Sequence, residues 1–163
     1  MATTGEHHPA FEEYCECIFE LREDHIDVIQ ARVADRLGVS RPSVSEMIKR
    51  METDGLIVIH GTKISLTSDG DVLAERVVRR HRIAERFLTD VLGLSWANAH
   101  HEAGKWEHII NQEVESAMNR VLHNPTTCPH GNPIPGSSYR EERLSKLSDV
   151  VEGKLFIINR IPE

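Results

Sequence analysis

Four residues, Gly38-Val39-Ser40-Arg41, restrict the folds open to this chain more than any other stretch. Before them, Val28 to Leu37 carries Ile29, Val33, Ala34 and Leu37 at helical spacing, with Asp27 placed to cap the helix. Gly38 stops it. After them, Ser40 is placed to cap a third helix running to about Thr53, with Val44, Ile48 and Met51 on its buried face. Pro42 falls in the first turn, where a missing N–H costs little. Ala34, four residues before Gly38, lets the two helices approach closely at a steep angle. Two short β-like runs follow, Leu56 to His60 and Lys63 to Leu66, split by Gly61-Thr62 as in a hairpin. A plain helical bundle with a hairpin has no need of the small residue, the glycine turn and the Ser-Pro cap together.

Helix, tight turn, helix and hairpin is the order of a winged helix-turn-helix. In such a unit the second helix offers its N-terminal residues to the major groove. Ser40, Arg41, Ser43, Ser45 and Glu46 are placed to reach phosphates or base edges, and Lys49 and Arg50 lie further along. Lys63, near the hairpin tip, is placed to touch backbone phosphate. Glu46 sits awkwardly there, since a carboxylate repels phosphate and among the bases can only accept from cytosine N4. The net charge of -7 also opposes nucleic-acid binding. Its distribution softens that objection: Glu6 to Asp27 holds eight acids and one base, Arg22, whereas Arg76 to Arg86 holds five arginines and one acid, Glu85. Separate surfaces have separate jobs.

The rest of the chain reads as helix-rich. Pro9 to Arg22 forms a helix with Phe11, Tyr14, Cys15, Ile18 and Leu21 as its apolar stripe, and Glu12, Glu13, Glu16 and Glu20 elsewhere on the same turns. Thr67 or Ser68 caps a long helix to about Leu92, and Ser95 caps a short helical stretch. A further helix is expected from about Ala99 to Leu122, weakened at Gly104. Asn124 to Ser138 is a loop, Tyr139 to Leu147 has helical character, and Leu155 to Ile161 alternates like a strand. Trp96 and Trp106 are expected in the core. The residues before Pro9 lack the apolar stretch of a secretory signal, and no apolar run approaches a membrane span. Three unevenly spaced cysteines suit a reducing cytoplasm.

Ten histidines, several beside carboxylates, supply ligands for divalent metals of intermediate and hard character. His81 and Glu85 share a helix face at i, i+4. His100 and the Glu107-His108 pair lie roughly 10–12 Å apart along one helix, too far for a single ion. That helix can supply two different sites if other helices complete them: His81 and Glu85 suit one, and Glu13 and Glu16 of the acidic first helix suit the other. His101-Glu102 begins like a zinc-protease helix, but Lys105 stands where the second histidine is required, and no nucleophile or substrate pocket is evident, so no enzyme is expected. A zinc knuckle of Cys15, Cys17, Cys128 and His130 is disfavoured, because i, i+2 on a helix points to different faces.

At Ala34-Asp35-Arg36-Leu37, Ser40 to Glu46, Arg80 to Arg86, Glu102 to His108 and Pro129 to Gly136, the chain resembles the metal-dependent repressors typified by diphtheria toxin repressor and the manganese transport regulators. The resemblance covers nearly the whole chain. It implies an ancillary metal site at His81, Glu85 and His100, and a primary, DNA-activating site at Glu13, Glu107 and His108. Glu16 matches a further carboxylate of manganese-type members, and Ser40, Pro42 and Ser43 match residues that meet DNA. Glu13 stands where iron-type members have Met. Gly104 stands where they have Cys and manganese-type members have Glu. With both sulfur ligands gone, the set is rich in oxygen and leans toward Mn(II), with Fe(II) as the alternative. The resemblance also implies a two-fold dimer on double-stranded operator DNA, with Met118, Val121, Leu122 and Trp96 at its interface. The expected organisation is a winged helix over 1–70, a helical dimerisation and metal domain over 71–138, and over 139–163 a linker and stub like the start of an SH3-like domain. The rival reading is a winged-helix regulator of a small organic ligand.

Overall fold

The computed structural model describes residues 9–140 and 143–162. Its helices are α1 (Pro9–Glu23), α2 (Gln30–Leu37), α3 (Arg41–Thr53), α4 (Ser68–Asp90), α5 (Trp96–Trp106) and α6 (Gln112–Val121). Between α3 and α4 lies an antiparallel hairpin of β1 (Ile57–His60) and β2 (Lys63–Leu66), in register from Ile57 opposite Leu66 to His60 opposite Lys63. The mainly helical class and the winged helix-turn-helix follow as expected. Gly38 takes a left-handed φ of 64° and closes α2 by donating its N–H to the Ala34 carbonyl. The Ser40 side chain accepts the Ser43 N–H at 3.3 Å and opens α3.

Two apolar cores share α4. The first gathers Ile18, Val33, Val44, Ile48, Ile57 and Ile64 with Leu73, Ala74 and Val77 from the start of α4. The second packs Ile83, Ala84 and Leu88 of the same helix against Ala99, Ala103, Ile110, Met118 and Ile134. One continuous helix therefore joins the winged-helix unit to the second core. Because α1 belongs to the first core and its last turns reach α4, its acidic residues face the junction between the cores.

The structure corrects several expectations. The helix expected over Ala99 to Leu122 is two: α5 ends at Trp106, and Asn111 caps α6 by accepting the Val114 N–H at 3.0 Å. An Asn side chain that bonds its own downstream N–H competes with helix continuation. Helix α2 starts at Gln30 rather than Val28, because Ile29 is extended and the Val28 carbonyl accepts the Ile64 N–H from the hairpin. Asp27 does not cap α2; its carboxylate pairs with Lys63 at 2.7 Å. Trp96 is half exposed rather than core, whereas Met118 is buried inside its own chain. Leu155 to Ile161 is not a strand. Among the described residues no strand ladder includes it, and Leu155 and Ile157 lie open. Within Tyr139 to Leu147, residues 141–142 lie outside the described set and the remainder forms no α-helix; a single 3-10 turn spans Leu147–Asp149. The N-terminal segment read for a signal also lies outside the described residues, apart from Pro9.

Instead of pairing as a strand, the tail docks. The Ile161 N–H donates to the His130 carbonyl at 2.9 Å, and Asn132 Nδ2 donates to the Ile161 carbonyl at 3.1 Å. Arg160 reaches Glu23 at 3.1 Å and Asp24 at 3.5 Å, and its Nε donates to Asn132. Gly131 makes this approach possible: a Cβ there would come within 2.0 Å of the Asn159 carbonyl oxygen.

Candidate metal centres and DNA face

Two groups of side chains that could hold a metal ion flank His81, near the middle of α4. On one side, His100 Nδ1 lies 2.9 Å from Glu85 Oε1 and 3.1 Å from His81 Nε2. On the other, His81 Nδ1 lies 2.5 Å from Glu107 Oε2 and 3.7 Å from Glu16 Oε1. Ligand atoms of His81, Glu85 and His100 fall within 4.8 Å of one another, and so do those of Glu16, His81 and Glu107. The expectation gave His81 to the first group alone; the fold sets one ring nitrogen toward each.

The break between α5 and α6 brings Glu107 and His108 back toward α1. His108 Nε2 lies 3.3 Å from Glu107 Oε1 and 3.9 Å from Glu13 Oε1. Glu13, Glu107 and His108 are thus neighbours, although the Glu13 side chain is more than half exposed. Glu12, adjacent in sequence, points inward and holds His108 Nδ1 at 2.7 Å. Gly104 lines a cavity of about 310 Å³ with Glu13, Glu16, His81, His100 and Glu107, and a Cβ there would meet nothing within 4 Å.

Sequence reasoning missed one further cluster. His130 Nδ1 lies 3.6 Å from Glu85 Oε1, and Cys128 Sγ lies 4.0 Å from that ring, so Glu85, Cys128 and His130 form a third group of possible ligands. A tight turn presents the pair, with Gly131 N–H bonded to the Cys128 carbonyl and Cys128 N–H bonded to the Asn132 carbonyl. Trp96 stacks edge-on against His130, their ring centres 5.3 Å apart. The Cys-x-His spacing is visible in the sequence, but its partner is Glu85 of α4 rather than Cys15 and Cys17 of α1. Cys15 and Cys17 lie in the core, and burial pushes both thiols up to about 12.

Burial and close contact between carboxylates and imidazoles shift the protonation of these groups. Burial, with the Glu107 charge beside it, holds the Glu16 carboxyl well above the ordinary range. Burial opposes charge on His81, but hydrogen bonds to Glu107 and Glu85 outweigh it and raise the ring well above the usual histidine range. The hydrogen bond to Glu12 raises His108. Burial works against charge on Glu85 too, yet hydrogen bonds from His100 and His81 pull its carboxyl down. Even so, Glu16 Oε1, Glu85 Oε2 and His108 Nε2 are buried with no hydrogen-bond partner. Buried polar atoms of this kind are costly unless something else satisfies them. Inward-facing lone pairs of carboxylate and imidazole fit a divalent ion.

On the far side of the first core, Ser40, Arg41, Pro42, Ser43, Glu46 and Lys49 are exposed along one side of α3. Lys63 is exposed as well, but engaged with Asp27.

Two sequence profiles match the chain: the N-terminal DNA binding domain of iron dependent repressors over residues 8–63, and their metal binding and dimerisation domain over residues 67–136. The chain belongs to the iron-dependent repressor family. The iron-dependent repressor IdeR of Mycobacterium tuberculosis is 48% identical over 126 residues, which cover 77% of this chain and 55% of IdeR. The diphtheria toxin repressor of Corynebacterium diphtheriae is 44% identical over the same share of this chain and 56% of its own. The chain therefore spans about half the length of these repressors. A solved structure of the metal-dependent transcriptional regulator MtsR superposes with a TM-score of 0.76 at 34% identity, covering 88% of this chain and 68% of MtsR. A manganese-dependent transcriptional repressor in complex with manganese superposes at 0.73 with 34% identity, covering 80% and 60%. In this iron-dependent repressor family member, no helix among the described residues is long and apolar enough to cross a membrane.

Proposed function

We propose that the chain is a metal-dependent transcriptional repressor that binds operator DNA as a homodimer when loaded with a divalent metal, Mn(II) first and Fe(II) as the alternative. One observation carries this reading: α1 is built into the core of the DNA-reading unit, yet its Glu12, Glu13 and Glu16 meet Glu107, His108 and His81 from the second half. A divalent ion bound there would supply positive charge to carboxylates contributed by both halves. Glu13 and Glu16 would bind from the α1 side, and Glu107 and His108 from the turn after α5. Held together in this way, α1 sets the angle of α3, and in a dimer the two α3 helices become correctly spaced for successive major grooves. Ligands that need both halves bind only the competent arrangement and shift the equilibrium toward it.

Carboxylate and imidazole donors suit Mn(II) and Fe(II), and the relatives include repressors named for each metal. The Glu85, Cys128 and His130 group adds a thiol and would favour a softer ion than the oxygen-rich group. Carboxylates and imidazoles predominate among the side chains lining the cavity at Gly104, beside Cys17, Arg36 and Leu37, which favours a cation there. The similar proteins are named as repressors, which supports a regulator over a metallohydrolase, and a chain that binds DNA with reduced thiols belongs in the cytoplasm.

The test is binding to operator fragments by fluorescence anisotropy, without metal and with Mn(II) or anaerobic Fe(II), alongside the solution mass. Metal should tighten binding, and the protein should be a dimer at tens of micromolar. Glu13→Ala and His108→Ala should remove the metal response while leaving the circular dichroism spectrum unchanged. A parental Mn(II) response in both variants, or a monomer with metal present, would overturn the reading.

A further inference from the structure

Glu12 and Glu13 are consecutive on α1, so their side chains leave the helix about 100° apart. Glu13 faces the solvent side of the centre. Glu12 turns inward, and its side chain is 8% exposed. A carboxylate at that depth needs partners on both oxygens, and it has them from two other parts of the fold. Oε1 accepts from Arg76 of α4 at 3.3 Å, and Oε2 faces His108 Nδ1 at 2.7 Å. The other ring nitrogen, His108 Nε2, is buried without a hydrogen-bond partner and points between Glu107 Oε1 and Glu13 Oε1.

A neutral imidazole carries its proton on one nitrogen and a lone pair on the other. A carboxylate accepting from Nδ1–H leaves the lone pair on Nε2, where it meets two carboxylate oxygens that repel it. A cation between the three relieves that repulsion. We propose that Glu12 is a positioning residue for the metal centre: it fixes the His108 tautomer with the proton on Nδ1 and aims Nε2 at the ion, while Arg76 holds Glu12 in place. This rests on the proposed metal-activated repressor. Glu12 itself is not a ligand, because both of its oxygens are engaged away from the Glu13 and Glu107 side.

Outer-shell carboxylates that orient a ligating histidine commonly change metal affinity by about 10–100-fold when removed. Two measurements on the purified dimer test the idea. The first is nitrogen-15 NMR of the histidine rings in metal-free protein at alkaline pH. The second is Mn(II) titration followed by the electron paramagnetic resonance signal of unbound Mn(II). The parent should show His108 as the Nδ1–H tautomer. Glu12→Ala should show a tautomer mixture and bind Mn(II) about 10–100-fold more weakly. In Glu12→Gln the amide oxygen can still accept from Nδ1–H, so both losses should be smaller; this near-isosteric variant also decides the matter if Glu12→Ala fails to fold. The parental tautomer in Glu12→Ala, or equal Mn(II) affinity in all three proteins, would overturn the proposal. Equal weakening in both variants with the tautomer unchanged would show that Glu12 binds the metal directly, which also overturns it. A parent that binds no Mn(II) would sink the metal reading, and the tautomer measurement would still decide what Glu12 does to His108.

Discussion

At the scale of single residues, His81 and Gly104 concentrate the chemistry. His81 is one imidazole between two ligand groups, Nδ1 toward Glu107 and Glu16, Nε2 toward His100 and Glu85. As a neutral ring it has a single lone pair to give, so its two neighbours compete for it. Gly104 lies inside α5 with open space where a Cβ would stand. Glycine there adds chain entropy to the unfolded state and no packing to the folded one. Gly104→Ala should therefore raise stability by about 0.5–1 kcal/mol, read as a shift in the urea midpoint. Unchanged Mn(II) affinity in the same variant would show that the open space is not needed for metal entry, and a loss of stability would contradict the geometry.

At the scale of elements, the interruption between α5 and α6 matters most, because it turns Glu107 and His108 toward α1. Asn111 holds that interruption as the α6 cap. Asn111→Ala should cost about 1 kcal/mol in thermal or chemical unfolding, and should also weaken Mn(II) binding because the turn carries two of the proposed ligands. A stability loss with metal affinity intact would separate the cap from the site. Helix α3 shows its exposed side at Ser40, Arg41, Pro42, Ser43, Glu46 and Lys49. If Arg41 and Lys49 each neutralise a phosphate, removing both should lower the slope of log affinity against log salt by about 2, at ~0.9 per contact. The double alanine variant, titrated at several salt concentrations, checks this; an unchanged slope would mean another face meets the DNA. Lys63 is expected to contribute less, since Asp27 already neutralises it.

At the scale of the whole molecule, α4 is the shared beam, and α1 is held to the later half by more than the proposed metal ligands. Arg82 is buried and binds Glu23 at 2.6 Å and the Pro133 carbonyl at 2.6 Å. Arg160 of the tail adds a second grip on Glu23 and Asp24 and a third on Asn132. Arg160→Ala should release residues 159–162, so that the Ile161 amide exchanges faster with deuterium. The end of α1 should loosen with it, raising the Mn(II) concentration needed for half-maximal DNA binding. Exchange at the parental rate would mean that the backbone bonds to His130 and Asn132 suffice without the guanidinium.

What the amino-acid order determined by itself is local. The helix-turn-helix could be read because Gly38, Ser40 and Pro42 act within a few residues, through left-handed backbone, a side-chain cap and a fixed φ. Ligand types could be read because carboxylates and imidazoles keep their chemistry in any fold. Family likeness paired Glu13 with Glu107 and His108, and the fold makes them neighbours. Tertiary structure alone decided that Glu12 turns inward, that His81 is shared, and that Cys128 and His130 meet Glu85 rather than Cys15 and Cys17. It also decided that the tail docks instead of forming a strand. Each of these depends on the angle at which one helix or turn packs against another, across sequence separations where periodicity and spacing carry no information.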